Sequence, residues 1–328
     1  RSSDIISLTR RAKEFGLLSV EAKADLAAIN DRKNKLIREF ADYRIEQLKN
    51  PRFTLIEEKA EFISPHEVQL GNSTVRAKSF IIATGSKVAD YPIPGLKEIG
   101  YLTSDDVLTL RRAPESLIVL GGGAVAIELA QFFQRIGTSV SLLQRSKHIL
   151  SQVDEDLARP VEDRFREEGM NLYTGTKILK ASVEKQRSAV YFEHKGKKKR
   201  CEAETILQAL GRKPNIDELN LESVGVQTKN GRVIVDSKMR TNLKNIFAVG
   251  DVNGIHEVVH FAIQQGEVAG YNAIQPDSLK KVDNRLKTTV VFTDPAVASV
   301  GLNEKECQSA NIDYLVASHP FSDHGKSM

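Results

Sequence analysis

The sequence predicts an α/β fold, with short apolar strands alternating with helices around parallel sheets. Two observations carry that expectation. Residues 117–145 read LIVLGGGAVAIELAQFFQRIGTSVSLLQR: an apolar strand, three glycines, an apolar-faced helix, a glycine stop and a second apolar run. Elsewhere, apolar runs end in small residues and a turn at Ala83-Thr84-Gly85, Leu210-Gly211 and Gly250-Asp251. The first unit carries a G-x-G-x-x-A turn, a variant of the dinucleotide-binding fingerprint. Gly121 permits the tight turn, Gly123 lets a pyrophosphate approach the backbone, and Ala126 lets the helix sit against the strand. The helix N-terminus then offers unpaired N–H groups and a positive dipole end to the phosphates.

A chain of 328 residues holds two or three domains with real cores. Hydrophobic content of 41% and charged content of 27% are those of an ordinary soluble globular protein. The net charge of +4 is mild and mostly scattered. The KGKKKR run at 195–200 is the exception, and between two apolar runs it reads as a solvated hairpin tip rather than a nucleic-acid patch. No window approaches the length of a membrane span, and the opening RSSDIISLTRR is no signal peptide. Neither nucleic acid nor membrane is therefore an expected partner. Cys201 and Cys307 lie too far apart to form a local redox or metal motif, which fits a reducing cytoplasm; no metal site is expected.

In chain order, residues 5–48 are expected to be largely helical. Ile29, Leu36, Phe40 and Tyr43 recur at helical steps and predict a long amphipathic packing helix. Residues 53–63, 67–70 and 74–77 read as strands, with a hairpin turn at Gly71-Asn72. Residues 78–96 hold a buried strand and a proline-rich crossover, where small residues let the chain pass close to a cofactor. Residues 154–168 form an amphipathic helix ended by Gly169. Segments 171–183, 189–194 and 202–210 read as a small meander, and 232–236 as a further strand. Residues 246–249 are a buried strand, and Asp251 at its end is placed to accept hydrogen bonds from sugar-like hydroxyls. A helix over 256–273 would point its N-terminus into the same crevice. Residues 287–300 are strand-rich, with Asp294-Pro295 as a turn, and open an unfinished domain.

Five motifs occur in order: ATG at 83–85, GGGxxxxE at 121–128, GRKPN at 211–215, AVGD at 248–251 and FTDPAVASVGL at 292–302. Together, over nearly the whole chain, they resemble the flavin-dependent pyridine nucleotide-disulfide oxidoreductases, a family that includes dihydrolipoyl dehydrogenase, glutathione reductase and mercuric reductase. AVAIELAQFFQRIG followed by LLQRS is most similar to the mercuric reductase branch. The resemblance implies two dinucleotide-binding (Rossmann-like) three-layer domains, the first truncated, plus the start of an α+β dimerisation domain. It places an FAD domain at 1–102 and 240–285, an NAD(P) domain at 103–239, and the dimerisation domain at 286–328, with a homodimer as the assembly.

Carried over by position, Asp251 would bind the FAD ribityl chain and Gly250 would keep that strand end close to the cofactor. Thr84 and Gly85 would line the FAD crossover. Gly211 and His260 join the implied cofactor-binding set, the latter on the helix that would face the flavin. Gly121, Gly123 and Ala126 would hold the nicotinamide dinucleotide, and Glu128 would lie near the nicotinamide–flavin contact as the catalytic candidate.

Two departures accompany the matches. No G-x-G-x-x-G precedes residue 80, and the family's Cys-x-x-x-x-Cys pair is absent. His319-Pro320 comes too early to be the family's C-terminal His-Pro motif. The chain is thus expected to be an internal fragment that cannot by itself reduce a disulfide or a metal ion, with half of the FAD site missing.

An NAD site ends its second strand in Asp or Glu, about 20 residues past the glycines, to bind the ribose hydroxyls. Here Gln144 stands there, followed by Arg145, Ser146 and Lys147. Arginine and lysine attract a 2′-phosphate that a carboxylate would repel, so NADP is the expected cofactor, with NAD as the alternative. The leading expectation is an oxidoreductase passing electrons from NAD(P)H through FAD to a cysteine pair, then to a disulfide, lipoamide or Hg(II). Two alternatives stand beside it: a dinucleotide-binding protein without redox turnover, and a flavin NAD(P)H oxidase or diaphorase.

Overall fold

The strand Ser116–Leu120 is the centre of the molecule, with Leu117, Ile118, Val119 and Leu120 all fully buried. Side chains alternate between the two faces of a strand, and here both faces are covered. Leu117 and Val119 pack with Ala126, Ile127, Ala130 and Phe133 of the helix Ala124–Arg135, and with Val161 and Phe165 of the helix Glu155–Glu167. Ile118 and Leu120 pack instead with Ala181, Val190, Phe192 and Ala203 of an antiparallel meander. Each such side chain contributes roughly 1.5–3 kcal/mol on burial. The computed structural model describes residues 1–18, 22–285 and 287–323.

The parallel sheet runs in the order Thr205–Gln208, Ser116–Leu120, Ser139–Leu143, Asn171–Tyr173. Helices cover one face, and the three-stranded meander Thr176–Glu184, Arg187–His194, Lys197–Ala203 covers the other. This is a three-layer unit. A second unit repeats the logic around a parallel pair, Phe80–Ile82 with Ile246–Ala248. Ile246 and Ala248 face a core with Phe62, Val68, Leu221 and Val233, while Phe247 and Val249 face Met239, Ala269 and Val282. The helix Val259–Ile274 lies on that second side. The hairpin Thr288–Val291 with Val297–Val300, followed by the short helix Glu304–Ser309, belongs to a third region. Among the described residues no helix is long and apolar enough to cross a membrane.

Two antiparallel strands, Ser86–Val88 and Arg212–Pro214, tie the first unit to the second. They belong to the segments that follow ATG and Gly211, so two motifs separated in sequence become one piece of sheet.

The predicted hairpins form, since Leu70 pairs with Ser73 across Gly71-Asn72. In the KGKKKR run only Lys195 and Gly196 make the turn, both at positive φ as a tight two-residue hairpin demands. Lys197 to Arg200 are strand rather than tip. Other segments depart from expectation. The stretch over 5–48 is not one helix: Ser2–Arg10 and Leu26–Leu48 are separated by a 3-10 turn and by Gly16 in the left-handed region. Residues 19–21 of that stretch lie outside the described residues. Nor does the long helix bury its periodic apolar residues, because Leu36, Phe40 and Tyr43 are exposed and only Leu26 and Asn30 are buried. The first meander strand begins at Ala60, not 53. The run over 171–183 divides at Gly175 (φ +66°) into Asn171–Tyr173 of the parallel sheet and Thr176–Glu184 of the meander. The strand expected over 232–236 is only Arg232–Val233. The helix expected from 256 starts at Val259, and no strand contains His319-Pro320.

Candidate functional site

Gly121 lies at φ +116°, where an added Cβ would stand 2.2 Å from the Ala209 carbonyl oxygen. That oxygen ends the neighbouring strand, so the turn closes against sheet backbone and leaves room only for hydrogen. At Gly122 a Cβ would meet the Gln144 side chain at 2.8 Å. Gly123 differs: it is exposed, has φ −78°, and has nothing within 4 Å of an ideal Cβ. It is also the N-cap of the helix Ala124–Arg135, and no side chain caps it. The first N–H groups of that helix therefore carry no side-chain partner and lie beside the open space at Gly123. Ala126 is fully buried against the strand. Gly121, Gly123 and Ala126 thus come together in the arrangement a pyrophosphate needs, and these residues fit a dinucleotide.

Gln144 turns inward at the end of the second strand. Its carboxamide packs over Gly122, and its Oε1 accepts from the Arg145 backbone N–H at 3.0 Å. Arg145 and Lys147 stand exposed beside the loop, and neither forms an ion pair among the described residues. Gln144 is brought against the glycines, and the two exposed cations follow it directly in the chain.

The second cluster lies at the other strand ends. Asp251 accepts from Ser86 Oγ at 2.7 Å, while Arg212 donates from Nε to Ser86 Oγ at 2.8 Å and from a terminal nitrogen to the Ser86 carbonyl at 2.7 Å. Gly85 and Thr84 join through Asn215, whose N–H and side-chain amide reach the Gly85 and Thr84 carbonyls at 2.9 and 3.4 Å. Burial, and then the Asp251 carboxylate, push nearby Glu257 above the ordinary carboxylate range against the opposing pull of Arg232 and Arg212. Gly211, at φ +139°, accepts from the Ala89 N–H at 3.0 Å. The chain needs only the stretch from Ala209 to Arg212 to pass from the glycine loop to this cluster.

Two sequence candidates stand apart. His260 is exposed and opens onto a separate shallow cleft with Phe261, Ile263, Gln264, Glu267 and Asp283. Glu128 lies one turn beyond the glycine loop, and its Oε1 accepts from the Phe292 N–H at 2.8 Å. Ser86, directly after ATG, and Arg212 and Asn215, inside GRKPN, carry no individual role in the sequence reading, and the fold brings the three together. Neither cysteine forms a disulfide. Burial pushes the Cys201 thiol up to about 12, so it carries no thiolate near neutrality. Cys201 is accordingly expected to resist iodoacetamide at pH 8 until urea unfolds the chain. Rapid labelling of the folded protein at Cys201, read by peptide mass spectrometry, would contradict this. Among the described residues no three potential ligands gather for a metal.

An open helix N-terminus behind a G-x-G-x-x-A turn, on a parallel sheet covered on both faces, is the architecture of a dinucleotide-binding α/β protein. The chain belongs to the pyridine nucleotide-disulphide oxidoreductase family: that family's model matches residues 10–266, and the model of its dimerisation domain matches residues 288–328. Mercuric reductase from Staphylococcus aureus is 35% identical over 323 residues, covering 98% of this chain and 59% of that protein. Dihydrolipoyl dehydrogenase from Geobacillus stearothermophilus is 30% identical over 325 residues, covering 97% of this chain and 68% of that protein. Among solved structures, the HOCl-induced flavoprotein disulfide reductase RclA from Escherichia coli superposes with a TM-score of 0.82 at 23% identity, covering 97% of this chain and 72% of that chain; this likeness establishes the shared fold. The chain spans between half and three fifths of the mercuric reductases it matches.

Proposed function

We propose that this chain supplies the nicotinamide-binding domain and the ribityl-facing side of the flavin site in an FAD-dependent NADPH oxidoreductase. Electrons pass from NADPH through FAD to a cysteine pair, and from there to a disulfide, lipoamide or Hg(II). The domains run as FAD at 1–102 and 240–285, NADP at 103–239, and dimerisation from 286, with a homodimer as the working unit in the cytoplasm. The observation that carries this reading is the open Gly123 at an uncapped helix N-terminus, with Asp251 at a second strand end reached through Gly211 and Arg212. FAD supplies the two-electron chemistry; the chain binds and aligns the two cofactors. Asp251 accepts hydrogen bonds from the ribityl hydroxyls, and Glu128, although its Oε1 is held by the Phe292 N–H, is the candidate for the nicotinamide–flavin contact. Neither Cys201, with its thiol held protonated, nor Cys307 serves as the redox pair. In the test, anaerobic NADPH is added to the intact enzyme and the flavin absorbance near 450 nm is followed. Bleaching supports the reading; a protein that binds NADPH with no flavin to bleach favours the second one, a dinucleotide-binding protein without redox turnover.

For the cofactor itself, Gln144 is already engaged with Gly122 and Arg145, which leaves the exposed Arg145 and Lys147 to meet a 2′-phosphate. NADPH is expected to bind more tightly than NADH. A charge-assisted contact contributes roughly 1.5–3 kcal/mol, so Arg145→Ala is expected to cut the NADPH:NADH affinity ratio about tenfold, or ~1.4 kcal/mol. Titration of both reduced cofactors checks it, and an unchanged ratio sinks the assignment.

A further inference from the structure

Gln265 is fully buried in the helix Val259–Ile274, facing the turn that carries Asp251. Its Oε1 accepts two hydrogen bonds, from the Gly250 backbone N–H at 2.8 Å and from Asn253 Nδ2 at 2.9 Å. The same Asn253 amide donates to the Ala248 carbonyl at 3.1 Å, and Asn253 Oδ1 accepts from the Ile255 N–H at 3.0 Å. One side-chain oxygen thus closes a buried network spanning Ala248 to Ile255. The turn inside it bends through Gly250, at φ +72°, where a Cβ would press on Ala262 at 3.3 Å. The helix face at Ala262 and Gln265 is therefore the mould against which the turn is cast. Asp251, the next residue, projects from the turn toward Ser86 Oγ at 2.7 Å.

A glutamine that served only to fill the core would use both ends of its amide. Here Nε2 has no partner among the described residues, while Oε1 takes two. Burying an unpaired N–H pair is unfavourable, and the arrangement persists because the oxygen is fixed to the turn. We propose that Gln265 is the positioning residue for Asp251: it holds the Gly250–Asn253 turn so that the aspartate meets the flavin's ribityl chain at a set distance. This rests on the reading of Asp251 as a flavin ligand.

The experiment compares three variants. Gln265→Leu keeps the volume and removes the acceptor, and Gln265→Glu keeps an acceptor in place. Val268→Ala loosens the same helix by trimming a side chain on the core of Phe247, Val249 and Ala269, and leaves the Gln265 acceptor untouched. Hydrogen exchange of the Gly250 amide is read in the full chain, and FAD affinity in the intact enzyme from flavin fluorescence. Gln265→Leu is expected to speed Gly250 exchange at least tenfold and to weaken FAD binding at least tenfold beyond Val268→Ala at matched thermal stability. Gln265→Glu should stay within threefold of the parent in both. Unchanged Gly250 protection, or a loss of FAD affinity no greater than that of Val268→Ala, overturns the assignment. If the parent enzyme binds no FAD, the reading of Asp251 fails, and the exchange measurement still decides whether Gln265 holds the turn. Should Gln265→Leu fail to fold, Gln265→Met, closer in shape, carries the same comparison.

Discussion

Gly121→Ala is expected to cost about 3 kcal/mol of folding stability, whereas Gly123→Ala, two residues on, leaves stability within about 1 kcal/mol and weakens dinucleotide binding. At Gly121 two penalties combine. An L-residue in the positive-φ region is strained by roughly 1–2 kcal/mol, and overpacking against fixed backbone adds roughly 1–3 kcal/mol. The obstructing atom is the Ala209 carbonyl oxygen, 2.2 Å from the new Cβ, and it belongs to a parallel strand that cannot step aside alone. At Gly123 the φ of −78° suits any residue, the Cβ meets nothing within 4 Å, and only the weaker N-cap preference of alanine opposes the change. In the proposed site, that free space is where a pyrophosphate would approach the helix N–H groups. A methyl there is expected to weaken NADPH binding at least tenfold, or ~1.4 kcal/mol. Urea unfolding and cofactor titration on both variants separate the effects. Equal stability losses at the two positions, or full NADPH affinity in Gly123→Ala, would remove the loop from the binding site.

That contrast also marks what a sequence can reveal. The glycine loop was legible because its constraints are local: a sign of φ, a small residue at one spacing, a helix start. The apolar run at 117–120 was likewise legible as a strand, and the folded chain adds that Leu117 and Val119 fill one face and Ile118 and Leu120 the other. The network around Asp251 was not legible. Ser86 meets Arg212 across 126 positions and Asp251 across 165, and nothing in either neighbourhood names the partner. Gln265 was hidden for the same reason: its helix also carries Gln264, Glu267 and Asn272, and nothing local marks which of them grips the turn. The helix Leu26–Leu48 erred in the opposite direction. Its period announced an apolar stripe, but a period does not say what covers the stripe, and Phe40 and Tyr43 stay exposed. Gln144 stands where the ribose-binding carboxylate would be, and its amide turns to Gly122 and to its own neighbour. The expected cofactor preference therefore rests on Arg145 and Lys147 alone.

Arg135→Met is expected to cost about 3 kcal/mol, although the residue touches neither cofactor cluster. Its guanidinium is 2% exposed at the far end of the glycine-loop helix, bonded to Glu168 at 2.6 Å, to Asp4 at 3.2 Å and to Asp294. Burial works against the charge, but Glu168 and Asp294 more than compensate and hold the guanidinium pKa above its ordinary range. Removing one partner of a buried pair costs roughly 3–5 kcal/mol, because the other charge stays behind. Here the remaining charges are Glu168, itself only 14% exposed, with Asp294 and Asp4 beside it. Arg164, 3.0 Å from Glu168, retains part of the compensation and sets the expectation at the lower end of that range. The three carboxylates come from the opening helix, the chain beyond the helix Glu155–Glu167, and the hairpin after Thr288. Gln131 and Glu128 extend the same grip one and two turns back, accepting from the Asp294 and Phe292 N–H groups at 2.8 Å. One face of the glycine-loop helix thus carries the phosphate end of the cofactor site and the anchorage of the hairpin, so loosening Arg135 should free both attachments at once. The expected signature is a lowered urea midpoint together with faster proteolysis around residues 4 and 294. Glu168→Gln in the Arg135→Met background, which removes the stranded charge, should recover part of the loss. A double-mutant cycle coupling near zero, or an Arg135→Met midpoint indistinguishable from the parent, would show that the buried guanidinium holds nothing together.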